Sequence, residues 1–330
     1  MASVESRPSA ARRLTPAMAD AIAQAMRDDP RVVLWGEDVS IGVMGPTRGL
    51  AAEFGPERVR DTPISEQGFV GAAVGAAMGG LRPVVDLMFA SFAYVCLDQV
   101  VNQAGRIRSM TGGQFRVPLT LVASAGAAGA NAAHHSETPH PTFMAAGGLN
   151  VVFPSTVHAA YWLTRAAIAS DDPTIVLFHP ALAGERGTVG DEPLALGAAV
   201  VDRAGDDVTI VACGGMMAKR AREAGALLEE RGVSAEVIDA CSLVPLGRDT
   251  ILGSVRRTGR LVVVDEARQT CSAASEIAAL AAEQAFAALR APVRRVCVPD
   301  VPIPFSPPLE RALLPDAERI AGAAQEVLRA

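Results

Sequence analysis

Residues 61–89 read DTPISEQGFVGAAVGAAMGGLRPVVDLMF, and the succession of patterns inside them sets the fold class. Asp61–Phe69 leads into a helix from Glu66, along which Gly71, Gly75 and Gly79 recur at every fourth position on one face. With no Cβ at these positions another helix or a backbone can approach closely, although each interior glycine costs about 1 kcal/mol relative to alanine. The stripe therefore predicts a buried helix at a domain or subunit interface. A phosphate-cradling glycine loop fits poorly, because no G-x-G-x-x-G follows a strand. After Arg82 the pattern turns β-branched and apolar, which predicts a strand over 83–89.

The same alternation extends in both directions. Strands are expected at 31–35, 83–89, 118–122, 150–153 and 174–178, with helices starting at Thr15, Glu66, Phe92 and Ser155. The rhythm breaks over 179–197, HPALAGERGTVGDEPLALG, which is rich in Gly, Pro and charge and reads as a linker. It resumes with strands at 208–213, 234–238, 260–264 and 293–298 and helices at 216–230, 272–289 and 316–328. Short apolar strands alternating with longer amphipathic helices are the mark of parallel α/β architecture. At roughly 150 residues per domain, 330 residues suit two such domains. The expected division is an N-terminal extension over 1–14, one α/β domain over 15–190 and a second over 191–330.

Composition narrows the function. The chain is 50% hydrophobic and 20% charged, with 30 basic and 36 acidic residues and a formal charge of −6. Basic residues occur in pairs such as Arg12-Arg13 and form no longer run, so nucleic-acid binding has no electrostatic footprint. The longest nearly uncharged apolar run, from Phe69 to Leu81, has 13 residues, short of the roughly 20 that span a bilayer. No secretory h-region precedes the first amphipathic segment. Five scattered cysteines without C-x-x-C spacing read as small buried hydrophobes in a reducing compartment. A cytoplasmic location, with no membrane and no nucleic-acid partner, is the expectation.

Two stretches carry chemistry-bearing side chains. Glu66 opens the glycine-striped helix; it reads either as the first-turn acid of a capping box with Thr62 or Ser65 at the N-cap, or as a functional carboxyl in apolar surroundings. His134 and His135 are adjacent, and in an extended strand successive side chains face opposite ways, so one is expected to be functional and the other structural. Glu137 and His140 lie nearby but lack the H-E-x-x-H order, and no metal site is expected. His158 and His179 read as satisfied structural groups. The chain has no G-x-S-x-G elbow and no P-loop.

At these residues the sequence resembles the beta subunit of the thiamine-diphosphate-dependent decarboxylating component of 2-oxoacid dehydrogenase complexes, and acetoin dehydrogenase beta subunits. The matching text is Gly36-Glu-Asp-Val39, Arg60-Asp-Thr-Pro-Ile-Ser-Glu66, Gly80-Leu-Arg-Pro83, Asp98-Gln-Val-Val-Asn102, His135-Ser136, Ala235-Glu-Val-Ile-Asp239, Ser254-Val255 and residues 300–305. It runs through nearly the whole chain after about residue 15. The resemblance implies a transketolase-type pyrimidine-binding domain followed by a transketolase C-terminal domain, and oxidative decarboxylation of a 2-oxo acid such as pyruvate with acyl transfer to lipoamide. It implies that Glu66 hydrogen-bonds a pyrimidine nitrogen of thiamine diphosphate, and a carboxyl in an apolar pocket can share its proton with the cofactor. The cofactor then loses its thiazolium proton and attacks the 2-oxo group. By the same matching Ile64, Met88 and Phe92 line the pyrimidine pocket, although core packing alone would also explain them. His135 orients substrate or moves protons near the thiazolium. Glu37 and Asp38 match an acidic pair near the cofactor, with a solvated turn as the alternative.

Members of this superfamily hold the diphosphate through magnesium with a G-D-G motif and a later Asn. This sequence has no G-D-G, and its only asparagines are Asn102, Asn131 and Asn150. The resemblance thus implies an alpha subunit that supplies Mg2+ and diphosphate binding, an α2β2 heterotetramer, and docking on a lipoyl acyltransferase core. The sequence departs from the family at Ala145 (a second His in relatives), Ala123 and Cys241 (Arg in relatives), Gly147, Phe178 and Gly247. These departures favour, as the alternative, an acetoin dehydrogenase or specialised carboligase subunit. A noncatalytic scaffold is disfavoured by the presence of both Glu66 and His135, and a split transketolase half by the D-T-P-I-S-E and D-Q-V-V-N text.

Overall fold

The computed structural model describes residues 11–330; most of the expected N-terminal extension, residues 1–10, lies outside them. The first half contains β1 (Arg12–Arg13), α1 (Leu14–Asp28), β2 (Val32–Gly36), α2 (Leu50–Phe54), β3 (Val59–Asp61), α3 (Glu66–Met78) and β4 (Arg82–Phe89). It continues through α4 (Ile107–Met110), β5 (Thr120–Ser124), α5 (His140–Ala146), β6 (Asn150–Val152), α6 (Val157–Ala169), β7 (Thr174–Phe178) and β8 (Arg186–Gly187). The second half contains β9 (Val200–Arg203), β10 (Val208–Ala212), α7 (Gly215–Glu230), β11 (Ala235–Asp239), β12 (Ser242–Val244) and α8 (Arg248–Thr258). It ends with β13 (Leu261–Arg268), α9 (Ala273–Gln284), β14 (Arg294–Val298), α10 (Pro307–Leu313) and α11 (Ala317–Arg329).

Two sheets organise these elements. One has the order β12-β6-β7-β5-β4-β2-β3 and is parallel apart from β12, which runs antiparallel to β6. The other has the order β14-β13-β10-β11-β9 and is parallel apart from β9. This is the expected pair of parallel-sheet α/β layers. Buried parallel strands need apolar side chains on both faces, which is why β5, β7, β10 and β11 are buried at every position. Helix α1 follows the 3.6-residue period, burying Leu14, Met18, Ile22 and Met26 against the sheet.

The halves are less separate than the strand rhythm suggests. Strand β12 belongs by sequence to the second half yet extends the first sheet, and one apolar cluster takes Phe153 and Leu177 together with Val211, Ile238 and Leu261. Nor is 179–197 a loose connector: Leu182 is buried, β8 pairs with β1, and Trp162 Nε1 donates to the Gly190 carbonyl.

Three local expectations need correction, and that of the glycine stripe is met within this chain only at Gly71. The helix from Phe92 is instead a 3-10 turn, Ala90–Tyr94, followed by a π-helical turn, Asp98–Ala104. Asp98 accepts from Asn102 Nδ2 at 2.7 Å and Gln103 Nε2 at 3.4 Å, favouring the wider turn, and such turns cluster at functional sites. His134 and His135 lie in a 3-10 turn, Ala133–His135, so the strand argument about their facing does not apply. The glycine stripe meets Gln99 at Gly71, but Gly75 stays exposed within this chain. Among the five cysteines, Cys271 is exposed. Helix α8 was not among the expected elements, because its apolar positions are diluted by Arg248, Asp249, Arg256 and Arg257.

Candidate functional site

The C-terminal ends of β2 and β4 build the first part of the site. Gly36 ends β2 at φ +152°, and a Cβ there would meet the Asp86 carbonyl oxygen at 2.5 Å, so only glycine lets the two strands close up. The Thr62 amide donates to the Gly36 carbonyl at 3.0 Å and brings the 62–65 loop alongside. Helix α3 then starts at Glu66, which is 8% exposed. Ser65 occupies the N-cap position without a side-chain cap bond, and Thr62 Oγ1 is buried without a partner. The capping-box reading is therefore not realised. Among the described residues no donor hydrogen-bonds the Glu66 carboxylate, and its electrostatic neighbours are Glu37 and Cys96. Burial, with Glu66 and Asp38 adding to it, raises the Glu37 carboxyl above its ordinary pKa. Burial, again with Glu66 adding, pushes the Cys96 thiol up to about 12.

Strand β4 leads into the second part. Asp86 is buried within the apolar run that follows Arg82 in this strand, and its carboxylate accepts the Met88 amide at 2.8 Å. Burial raises Asp86 to about 6, against the lowering effect of that bond. Met88 lies at φ +59°, a left-handed conformation rare for a side-chain-bearing residue, and the β4–β5 register shifts between Asp86 and Phe89. The chain then turns so that Phe89 and Phe92 pack edge to face at 5.6 Å between centroids. His135 stands edge-on to both rings, 4.5 Å from Phe89 and 5.8 Å from Phe92. Ser91 Oγ donates to the His134 carbonyl, tying the two turns together.

Phe92 and His135 are thus brought into contact. Cys96 Sγ, bonded to the carbonyls of Phe92 (3.9 Å) and Ala93 (3.6 Å), connects this aromatic group to the side where Glu66 lies. Met88 sits near the end of β4, next to Phe89. Ile64 is 83% exposed and is not enclosed by the chain's own residues. Among the described residues no group of three His, Cys, Asp or Glu side chains is placed to hold a metal, and no helix is long and apolar enough to cross a membrane.

Several residues at the site escape sequence reading. Asp86 and Phe89 are two; the others come from the end of β13. Asp265 Oδ1 pairs with His140 Nε2 at 3.0 Å, both side chains fully buried. Glu266 accepts the Ala127 amide at 2.6 Å and lies 3.0 Å from His179 Nε2. Because His179 Nδ1 accepts the Ala181 amide, Nε2 is the atom that donates to Glu266. Arg268 forks onto Glu137 at 2.6 and 2.8 Å. The available signal was an Asp-Glu-x-Arg run directly after the fully apolar Leu261–Val264 segment. Charges that continue a buried strand need partners, and here the partners lie in the other half of the chain.

An α/β pair of this topology, with an acid opening the helix between its third and fourth strands, defines a transketolase-like two-domain protein. The family described as "Transketolase, pyrimidine binding domain" matches residues 11–184, and "Transketolase, C-terminal domain" matches residues 197–320. The chain is 44% identical to the acetoin:2,6-dichlorophenolindophenol oxidoreductase subunit beta of Cupriavidus necator, over 97% of this chain and 98% of that one. It is 43% identical to the pyruvate dehydrogenase E1 component subunit beta of Leifsonia xyli subsp. xyli, over 90% and 89%. A solved structure described as a split gene transketolase, inactive beta4 tetramer, superposes with a TM-score of 0.79 at 26% identity, over 95% of this chain and 97% of that one. The chain belongs to the transketolase-like family, among the E1 beta subunits of 2-oxoacid and acetoin dehydrogenases.

Proposed function

We propose that this chain is the beta subunit of a thiamine-diphosphate-dependent 2-oxoacid dehydrogenase, acting on a 2-oxo acid such as pyruvate and passing the acyl group to lipoamide. The observation that carries this reading is Glu66: a residue 8% exposed at the start of α3, whose carboxylate no hydrogen-bond donor among the described residues occupies. Its oxygens are not sealed from solvent, so the carboxylate stands open to a ligand donor while the rest of the residue is buried, and beside it Thr62 Oγ1 is buried without a partner. The residues present fit the pyrimidine end of the cofactor, with Glu66 as the acid and Met88 and Phe92 as apolar wall. Ile64 joins that wall once a partner surface covers it. When bound, thiamine diphosphate supplies the carbanion that adds to the 2-oxo carbon and the electron sink for decarboxylation.

The chain's own residues do the rest. Glu66 presents its carboxyl oxygens to a pyrimidine nitrogen and exchanges a proton there. Burial, with the Glu66 and Asp38 charges adding, raises the neighbouring Glu37 carboxyl above its ordinary range. His135, held edge-on between Phe89 and Phe92, presents its imidazole to substrate and moves protons during acyl transfer. Mg2+ and the diphosphate belong to an alpha subunit in an α2β2 heterotetramer, which docks on a lipoyl acyltransferase core in the cytoplasm. An acetoin-cleaving subunit is the second reading, supported by the 44% identity to a relative named for acetoin oxidation.

In the reconstituted pair, Glu66→Ala should lower kcat by about 10²–10⁴-fold, the usual worth of a general acid or base. Normal turnover by that variant would refute the assignment. Reductive acylation of a lipoyl domain with pyruvate supports the dehydrogenase; dichlorophenolindophenol reduction with acetoin alone supports the second reading.

A further inference from the structure

We propose that Glu310, on α10 of the second half, is a positioning residue for His135, acting through the backbone of the loop that presents the imidazole; this rests on the role given to His135 above. Between β5 and the Ala133–His135 turn, Gly126 (φ +104°), Gly129 (+82°), Ala130 (+58°) and Ala132 (+59°) all take the left-handed region. Glycine enters that region freely. Alanine does not, and such conformations persist only where the surroundings over-determine them.

Side-chain packing fixes only the base of this loop, where Ala127 is buried with Val298 and Ile303, and leaves residues 128–130 half-buried or exposed. Residues 127–130 border a cavity of about 570 Å³, lined also by Glu266, Glu310 and Arg220. Instead the loop is held at separate polar points. The Gly126 amide donates to the Glu137 carbonyl at 3.0 Å and closes its base. Glu266 takes the Ala127 amide, and Arg268 grips the Glu137 carboxylate. Among the described residues only the Glu310 side chain acts on a strained residue itself: its oxygens accept the Ala130 amide at 3.0 and 3.3 Å. Its side chain belongs to a residue 5% exposed, and among the described residues that amide is its sole hydrogen-bond donor. Glu310 therefore fixes Ala130, and Ala130 sets the path by which the chain reaches His135 and its seat against Phe89 and Phe92.

The test uses the complete α/β complex and two readouts. Hydrogen exchange of the peptide spanning 126–137 should accelerate at least tenfold in Glu310→Ala and return to the parental rate in Glu310→Gln, whose amide oxygen still accepts. The kcat of Glu310→Ala should fall about 10- to 100-fold, as expected for a misplaced group, with KM little changed, and Glu310→Gln should recover most of it. In a His135→Ala background the Glu310→Ala change should add nothing. Unchanged exchange in the 126–137 peptide, or kcat losses that multiply in the double variant, would overturn the proposal. If His135→Ala leaves turnover intact, the role given to His135 fails, and the exchange result still decides whether Glu310 holds the loop. Should Glu310→Ala not fold, Glu310→Asp, too short to reach the Ala130 amide but still charged, provides the same two readings.

Discussion

Met88 keeps its left-handed backbone because one buried acid sits two residues before it. Asp86 lies at the end of the Val84-Val85 run, where an apolar residue would pack equally well, and its carboxylate meets the Met88 amide at 2.8 Å. Asp86→Ala should leave that amide without a partner and destabilise the chain by about 1–3 kcal/mol. Asp86→Asn, whose side-chain oxygen still accepts, should stay near the parent. Chemical denaturation of the three proteins measures this, and equal losses in both variants would contradict it. At this scale the sequence displayed the chemistry-bearing residues but not their surroundings. Glu66 and His135 stand out by motif, whereas the Phe89–His135 contact joins segments whose separation in the chain carries no local signal.

Elements were legible wherever one period ran long enough. Helix α3, the strand Thr174–Phe178 and helix α7 form where the periodicity places them, because each buries a continuous apolar face. The segment after Phe92 was not legible, because its apolar spacing suits an α-helix while Asp98 draws Asn102 and Gln103 into a wider turn. The end of that turn passes very close to the loop before β6. Gly148, at φ +74°, lies so near the Gly105 carbonyl that a Cβ would overlap its oxygen. Both obstacles are backbone, which cannot swing aside as a side chain can. Gly148→Ala should therefore cost about 3 kcal/mol or more and lower the midpoint of thermal unfolding by several degrees. A parental melting temperature would show that the crossing is looser than described.

On the scale of the whole molecule, the parallel α/β character could be read from the sequence, but the joining of the two halves could not. Strand β12 crosses into the first sheet, and the pairs His140–Asp265 and Ser155–Asp239 couple groups on opposite sides of the chain's midpoint. Asp239 is fully enclosed, bonded to Ser155 Oγ at 2.5 Å, with Oδ1 unpartnered. Burial, with the Asp202 charge adding, raises it to about 7, while Ser155 and Arg222 oppose the rise. The folded state thus binds this proton more tightly than the unfolded chain does. Its contribution to stability is neutral below about pH 4, becomes progressively unfavourable as the pH climbs to about 7, and then levels off at up to about 4 kcal/mol. Asp239→Asn should remove that slope, so its advantage over the parent grows between pH 4 and 7 in urea titrations. Parallel curves for the two proteins would refute the coupling.

The same scale holds the central claim, that this chain supplies one half of a cofactor site whose other half comes from another protein. Titration calorimetry with thiamine diphosphate and Mg2+ tests it most directly, using the chain alone, the chain with its alpha subunit, and the pair carrying Glu66→Ala. Saturable binding by the pair, none by the chain alone and weakened binding by the Glu66→Ala pair is the predicted result. Full-affinity binding by the isolated chain, indifferent to the carboxyl at position 66, would contradict it.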